Sequence, residues 1–239
     1  MKIIKHLMLC VFLMTLSQTS AQNDFNKTDA NGKKHGLWKG VHEESKRPRY
    51  EGTFEHGIEV GTFKYFDDTK AGSLIATRDF SENGKVAYTI VYDQKNNIVS
   101  EGKTVNRVNE GLWKYYQKES KQVMSEENYV KGKLEGIRKV YFREGKIAEE
   151  TQYANGKKNG LSKVYTENGT VIEEATYKNG QYEGPAIYRE PNGNIASKGN
   201  YKNGAKHGTW QFFVNGKLKK EEKYPKKVKF EKRTDIPKQ

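Results

Sequence analysis

Glycine and tyrosine return at a fixed interval in this chain, and that periodicity restricts the fold more than any other feature does. Gly132, Gly156, Gly180 and Gly204 stand 24 residues apart, and so do Gly136, Gly160, Gly184 and Gly208. Tyr129, Tyr153, Tyr177 and Tyr201 share the interval, with Tyr224 following at 23. Three columns in one register mark an array of supersecondary units, each of which buries its apolar side only against its neighbours. The pattern continues towards the start through Gly111-Leu112-Trp113-Lys114-Tyr115-Tyr116, Gly61-Thr62-Phe63-Lys64-Tyr65-Phe66 and Gly36-Leu37-Trp38-Lys39, with Phe54, Phe80 and Thr104 where tyrosine closes later units. About eight units fit between Asn31 and Tyr224. The unit from Ser81 to Thr104 matches least, because Tyr88 stands where the second glycine belongs, and an insertion at 67–72 precedes it. A bend is expected there.

Within one unit, Leu161 to Tyr165 is aromatic and β-branched enough for a strand, Thr166-Glu167-Asn168-Gly169 is a turn, and Val171 to Tyr177 is the returning strand. Lys178-Asn179-Gly180 then turns the chain into the next unit. Asn-Gly occurs nine times, at Asn31, Asn83, Asn155, Asn159, Asn168, Asn179, Asn192, Asn203 and Asn215. Both residues tolerate the positive φ of type I′ hairpin turns, so the dipeptides predict hairpins. The fold class expected is all-β: an elongated, single-layer, twisted antiparallel sheet of tandem β-hairpins. With strands about 4.8 Å apart, the ribbon would be roughly 75 Å long and about 20 Å wide.

The recurring Tyr-x-Asn-Gly-x-x-x-Gly-x-Trp-x-x-Tyr, clearest at Lys202-Asn203-Gly204-Ala205-Lys206-His207-Gly208-Thr209-Trp210-Gln211-Phe212-Phe213, resembles the MORN repeat family. The bacterial variant found in YwqK-type antitoxin-like proteins is the closer likeness. The resemblance covers nearly all of residues 22–239 and implies a run of β-hairpins used for binding, with anionic lipid, partner proteins and a cognate toxin as the targets proposed for the family.

The two ends differ from the repeat. Residues 1–21 have the build of a secretory signal: Lys2 and Lys5, an apolar run from Leu7 to Leu16, and Thr19-Ser20-Ala21 before Gln22. Export to a periplasm or the cell exterior is therefore expected, with 22–30 as an N-terminal cap, 31–224 as the repeat domain and 225–239 as a basic tail. Cys10 is the only cysteine and lies in the leader, so disulfides and thiol chemistry are not expected of the exported chain. The apolar fraction, 34%, is low, while 15 Tyr, 10 Phe and 23 Gly suit a thin sheet in which rings cover area without a second layer. Formal net charge is +13, or +11 without Lys2 and Lys5, and residues 217–239 alone carry ten Lys or Arg against four acids.

Counting from the second glycine, alternate residues face opposite sides of a strand. One face would carry Leu37, Leu112, Ile137 and Leu161, a lysine ladder of Lys39, Lys64, Lys114, Lys139 and Lys163, and then Tyr116, Tyr141 and Tyr165. The other would carry an aromatic face of Trp38, Phe63, Trp113, Tyr115, Trp210 and Phe212. Which of the two is buried stays open. The ladder could meet a phosphate, an acidic glycan or an acidic protein, or be a solvated face whose stems cover rings. The aromatic face could stack on sugars or be the packing itself. In the tail, Lys226, Lys227, Lys229, Lys232 and Arg233 are candidates for anionic lipid headgroups.

His35 and His207 occupy the place of Asn159, which assigns them to turns, and Glu149-Glu150 and Glu173-Glu174 would point to opposite faces and not converge as an acid–base pair. No catalytic residue, cofactor or metal is expected, and nucleic acid is not the expected partner of an exported chain. The reading that follows is a non-enzymatic exported repeat protein that binds a protein partner, with an electrostatic binder of anionic lipid headgroups or acidic glycans as its alternative.

Overall fold

A computed structural model describes residues 24–226. The expected signal at 1–21, and Lys227, Lys229, Lys232 and Arg233 of the tail, lie outside the described residues. The chain forms strands β1 (Lys27–Thr28), β2 (Lys34–Val41), β3 (Pro48–Glu55), β4 (Ile58–Phe66), β5 (Leu74–Ser81) and β6 (Val86–Tyr92). These are followed by β7 (Ile98–Val105), β8 (Val108–Tyr116), β9 (Val123–Val130), β10 (Lys133–Leu134), β11 (Gly136–Tyr141) and β12 (Ile147–Ala154). The last six are β13 (Lys157–Tyr165), β14 (Val171–Lys178), β15 (Gln181–Arg189), β16 (Ile195–Lys202), β17 (Ala205–Val214) and β18 (Lys217–Tyr224). Each pairs antiparallel with its neighbours in sequence, so the fold is one open 18-stranded sheet of tandem hairpins. β10 and β11 are one strand broken at Glu135, since both pair with β9.

The strands are longer than the residues after the second glycine suggested. β13 starts at Lys157, four residues before Leu161, because the second glycine is a bulge inside the strand and not a turn. Between Thr151↔Ser162 and Tyr153↔Lys158 the register shifts, leaving 159–161 opposite Gln152 alone. Gly160 takes φ +111, and a Cβ there would lie 2.0 Å from the Gln152 carboxamide oxygen, which instead accepts the Leu161 N–H at 2.9 Å. The shift is of two residues, so the alternation of faces survives it. Equivalent shifts occur in β3–β4, β7–β8, β14–β15 and β16–β17. The pair β5–β6 has none. There Tyr88 replaces the glycine, and without a residue suited to positive φ the bulge does not form.

A one-residue bulge sits at the other end of each unit. Val164↔Glu173 is followed by Tyr165↔Val171, which leaves Ile172 unpaired and flips the strand, so Val171 and Glu173 face opposite sides. Arg49, Ile75, Val99, Met124, Ala148 and Ala196 occupy the same place.

Asn-Gly works in four ways. At Asn155, Asn179, Asn203 and Asn215 both residues have positive φ, as type I′ turns require. At Asn31, Asn168 and Asn192 only the glycine does, Asn83 lies in a longer left-handed run from Glu82 to Gly84, and Asn159 is in the β13 bulge, so nine type I′ turns are not what forms. The inter-unit turns stack along one side of the sheet: Gly156 N–H donates to the Leu134 carbonyl at 2.9 Å, and Asn155 N–H to Glu135 Oε2 at 2.9 Å. Glu110, Asn159 and Glu183 cap other turns in the same manner.

At the first edge, the Asn26 carboxamide bonds Lys39 N–H at 2.7 Å and the Lys39 carbonyl at 3.0 Å, imitating a strand. At the last edge, β18 shows outer backbone groups to solvent but carries Lys217, Lys219, Lys220 and Lys223, which oppose pairing with another chain.

Candidate binding surfaces

The cross-strand register turns the columns into rows that run across the sheet. On one face the central row is Trp38, Gly52, Phe63, Arg78, Thr89, Gly102, Trp113, Glu127, Arg138, Thr151, Ser162, Ala175, Ala186, Gly199, Trp210 and Glu222. This face is the packed one: Phe63 is 1% exposed and Trp210 0%. Each large ring lies over a glycine of the preceding strand, since a Cβ on Gly52, Gly102 or Gly199 would fall 2.4–2.5 Å from Phe63, Trp113 or Trp210. Ring and glycine together fill one volume, which a single layer needs because no second sheet supplies partner atoms.

Two aromatic clusters result. One gathers Phe54, Phe63, Phe80 and Ala87 with Trp38, Tyr50 and Tyr65, and the other gathers Ala175, Ala186 and Trp210 with Tyr177, Tyr182, Tyr188, Tyr201, Phe212 and Tyr224. Lysines two residues before the second glycine close them: Lys34 lies 4.5 Å from the Trp38 ring centre and Lys206 4.2 Å from that of Trp210. The lysines that close these two clusters are therefore not those of the ladder, of which Lys39 lies 5.4 Å from the Phe25 ring centre, and the sequence signal that identifies them is their place before the glycine. Between the clusters the face turns polar. Arg138 bonds Glu127 at 2.8 Å, Tyr129 donates to Glu127 at 2.6 Å, and Thr151 and Ser162 bond at 2.7 Å. As a ligand platform this face offers Trp38, Tyr115 and Phe212, which are half-buried, while Phe63, Trp113 and Trp210 are closed to solvent.

The opposite face is open. Its middle row reads Lys39, Glu51, Lys64, Thr77, Ile90, Glu101, Lys114, Glu126, Lys139, Glu150, Lys163, Glu174, Ile187, Lys198, Gln211 and Glu221. Every lysine of the ladder stands in register beside at least one glutamate. Lys64 approaches Glu51 at 3.1 Å and Lys163 approaches Glu174 at 3.6 Å. The ladder is thus a row of alternating sign, which cross-strand pairing stabilises by about 0.2–1 kcal/mol per pair, and not a continuous positive stripe.

Beside this row Tyr116, Tyr141 and Tyr165 donate to Glu101, Glu126 and Glu150, the last two at 2.8 Å. Burial, and then the neighbouring carboxylate, push all three phenols up to about 12. On the other side of the row Leu112 (52%), Ile137 (51%) and Leu161 (38%) are exposed. Glu150 belongs to this face and Glu149 to the packed one, where it accepts from Thr151 at 2.7 Å. Among the described residues no cluster of three or more His, Cys, Asp or Glu is grouped to hold a metal. His35 and His207 lie within strands β2 and β17 and not in turns as expected; the His35 ring centre is 4.8 Å from that of His56 in the β3–β4 turn, and His56 meets Asp29 at 2.6 Å.

Three consecutive stretches, residues 134–155, 158–179 and 182–203, match the family described as MORN repeat variant. These units are MORN-like. Each matched stretch begins two residues before the bulge glycine and ends on the asparagine of an inter-unit turn, so the MORN-like unit coincides with the structural one. No curated protein matches the chain. Among solved structures, a protein of unknown function from Bacteroides fragilis NCTC 9343 is 10% identical over 82% of this chain and 95% of that one, with a TM-score of 0.12.

Proposed function

We propose that this chain is a non-enzymatic, exported repeat protein that binds a protein partner through the open face of β8 to β14. The observation that carries the reading is the composition of that face. Exposed Leu112, Ile137 and Leu161 run beside the alternating Lys–Glu row and the half-buried tyrosines, in register over three units. A polyanion calls for uncompensated positive charge, whereas apolar side chains bordered by tyrosines and paired charges are what a protein surface can complement in shape and sign. The MORN-like repeats agree with a binding role, and the YwqK-type likeness admits a toxin as one class of partner. The basic tail, with Lys226 beside Glu222 at 3.1 Å as its described part, is a secondary anchor for anionic surfaces.

The experiment is partner recovery from the exported fraction with residues 22–239 as bait, run beside Ile137→Glu and Leu161→Glu. A partner kept by the unmodified chain and lost by both variants supports the reading. A partner that both variants retain equally overturns it.

A further inference from the structure

The packed face is interrupted by a cleft of about 370 Å³ lined by Lys34, Arg49, Tyr50, Phe63, Tyr65 and Arg107 among others. It lies on the inside of the bend. Arg107, in the turn before β8, bonds Glu59 of β4 at 2.6 Å across 48 residues, although three to four strands at about 4.8 Å separate them in the sheet. Two side chains close that gap only if the sheet curls towards the packed face. The small residues Ala76, Ala87, Thr89, Ser100 and Gly102 on β5 to β7 leave room for it.

Charge and hydrogen-bonding capacity accumulate inside this curl without being used up. Arg49 reaches it because it is the unpaired residue of the β2–β3 bulge, a place held by Ile75, Val99 and Met124 in the next units. Arg78 lies 5.7 Å from the Tyr65 ring centre, and no carboxylate among the described residues lies within salt-bridge distance of it. Lys34 donates to the Tyr50 hydroxyl at 2.8 Å. Glu59 is the only carboxylate lining the cleft. The Tyr65 hydroxyl is buried there with no partner, and beside the cleft so is the hydroxyl of Thr89, which is paired with Arg78 across β5–β6. An unpartnered buried hydroxyl costs about 1–3 kcal/mol, so two of them beside an unpaired guanidinium mark a place where an acceptor is missing.

We infer that this cleft binds a carboxylate carried on a small organic body, held by the Arg49 guanidinium and the Tyr65 hydroxyl that line it, with Arg107 and Lys34 around it and Arg78 at its border beside Tyr65. A guanidinium fork matches a flat carboxylate with two parallel bonds, and the half-buried Tyr50 ring gives the body an apolar wall. Glu59 is held by Arg107, which leaves Arg49 and Lys34 as net positive charge for an anion, and the ring beside them favours an anion with an organic body over inorganic phosphate. The inference does not rest on the open-face reading, and its failure leaves that reading untouched.

Titration calorimetry of residues 22–239 with benzoate, glucuronate and inorganic phosphate tests it. Binding of at least one carboxylate, more tightly than phosphate, is expected, with the flat ring or the sugar ring distinguished by which acid binds. Arg49→Ala should weaken that binding at least tenfold, Tyr65→Phe should weaken it several-fold, and Lys163→Ala should leave it unchanged. Should Arg49→Ala fail to fold, Tyr65→Phe decides, because it removes one atom and keeps the ring. No binding of either acid, tighter binding of phosphate, or full affinity in Tyr65→Phe overturns the assignment.

Discussion

The sheet from β9 to β17 and the sheet from β3 to β8 are assembled from one unit, yet they solve the same problem differently. In the first, each second glycine forms a bulge, each turn bonds one unit back, and the chain advances by identical steps. In the second, Tyr88 removes one bulge, β5 and β6 pair without a shift, and Arg107 reaches two units back to Glu59. A single column therefore decides whether the ribbon continues or curls. The regular half is quasi-one-dimensional, with stability close to a sum of neighbour terms, whereas the curled half has a contact beyond the nearest neighbour.

The largest expected effects come from the buried rings. Trp210→Ala and Phe63→Ala should each cost about 3–5 kcal/mol in chemical denaturation, because the glycine beneath cannot fill the cavity. Hydrogen exchange separates the halves: losses from Trp210→Ala should stay within β14 to β18, while those from Phe63→Ala should extend into β7 and β8. Equal confinement of both would break the comparison.

Next in size is the bulge. Gly160→Ala places a Cβ against Gln152 at φ +111 and should cost about 1–3 kcal/mol. Tyr88→Ala, at a 48% exposed position with no bulge to lose, should stay within about 0.5 kcal/mol.

Alkaline pH probes β8 to β13. Tyr116, Tyr141 and Tyr165 have folded pKa values raised to about 12 from the ordinary 10.0, so the unfolded chain loses those protons first. Their contribution is present in full below pH 10 and is lost as pH rises from about 10 to 12. Denaturation midpoints should fall across that window, and fall less when the three are phenylalanine.

A smaller effect is expected for Lys163→Glu, which sets like charge beside Glu150 and Glu174 and should cost about 0.2–1 kcal/mol per pair. Adding Glu174→Lys should recover part of it, and a double-mutant cycle with no coupling would remove the charge row from the account. Arg107→Ala should also cost at most about 1 kcal/mol for so exposed a pair, but small-angle scattering should show the N-terminal half opening.

Much of the fold was legible. The 24-residue interval gave tandem hairpins and the all-β sheet, and the mismatch at Tyr88 pointed to the one pair that lacks a bulge. The division into faces was legible too, because a shift of two residues keeps the alternation. The bulge itself was not, since Gly160 and a turn glycine read alike in sequence. Nor was the flip at Ile172, which depends on the partner strand. The ladder of Lys39, Lys64, Lys114, Lys139 and Lys163 was visible as a column, but its glutamate partners come from the strands between.

By itself, then, the sequence determined the unit, the hairpins and the two faces, because these depend on local dihedral preference and on a period of two along one strand. Only the tertiary structure decided which face closes, which charges meet and where the ribbon curls. Those outcomes depend on register between strands, and register is set by the bulges and by how rings, glycines and lysines of neighbouring units fill shared space.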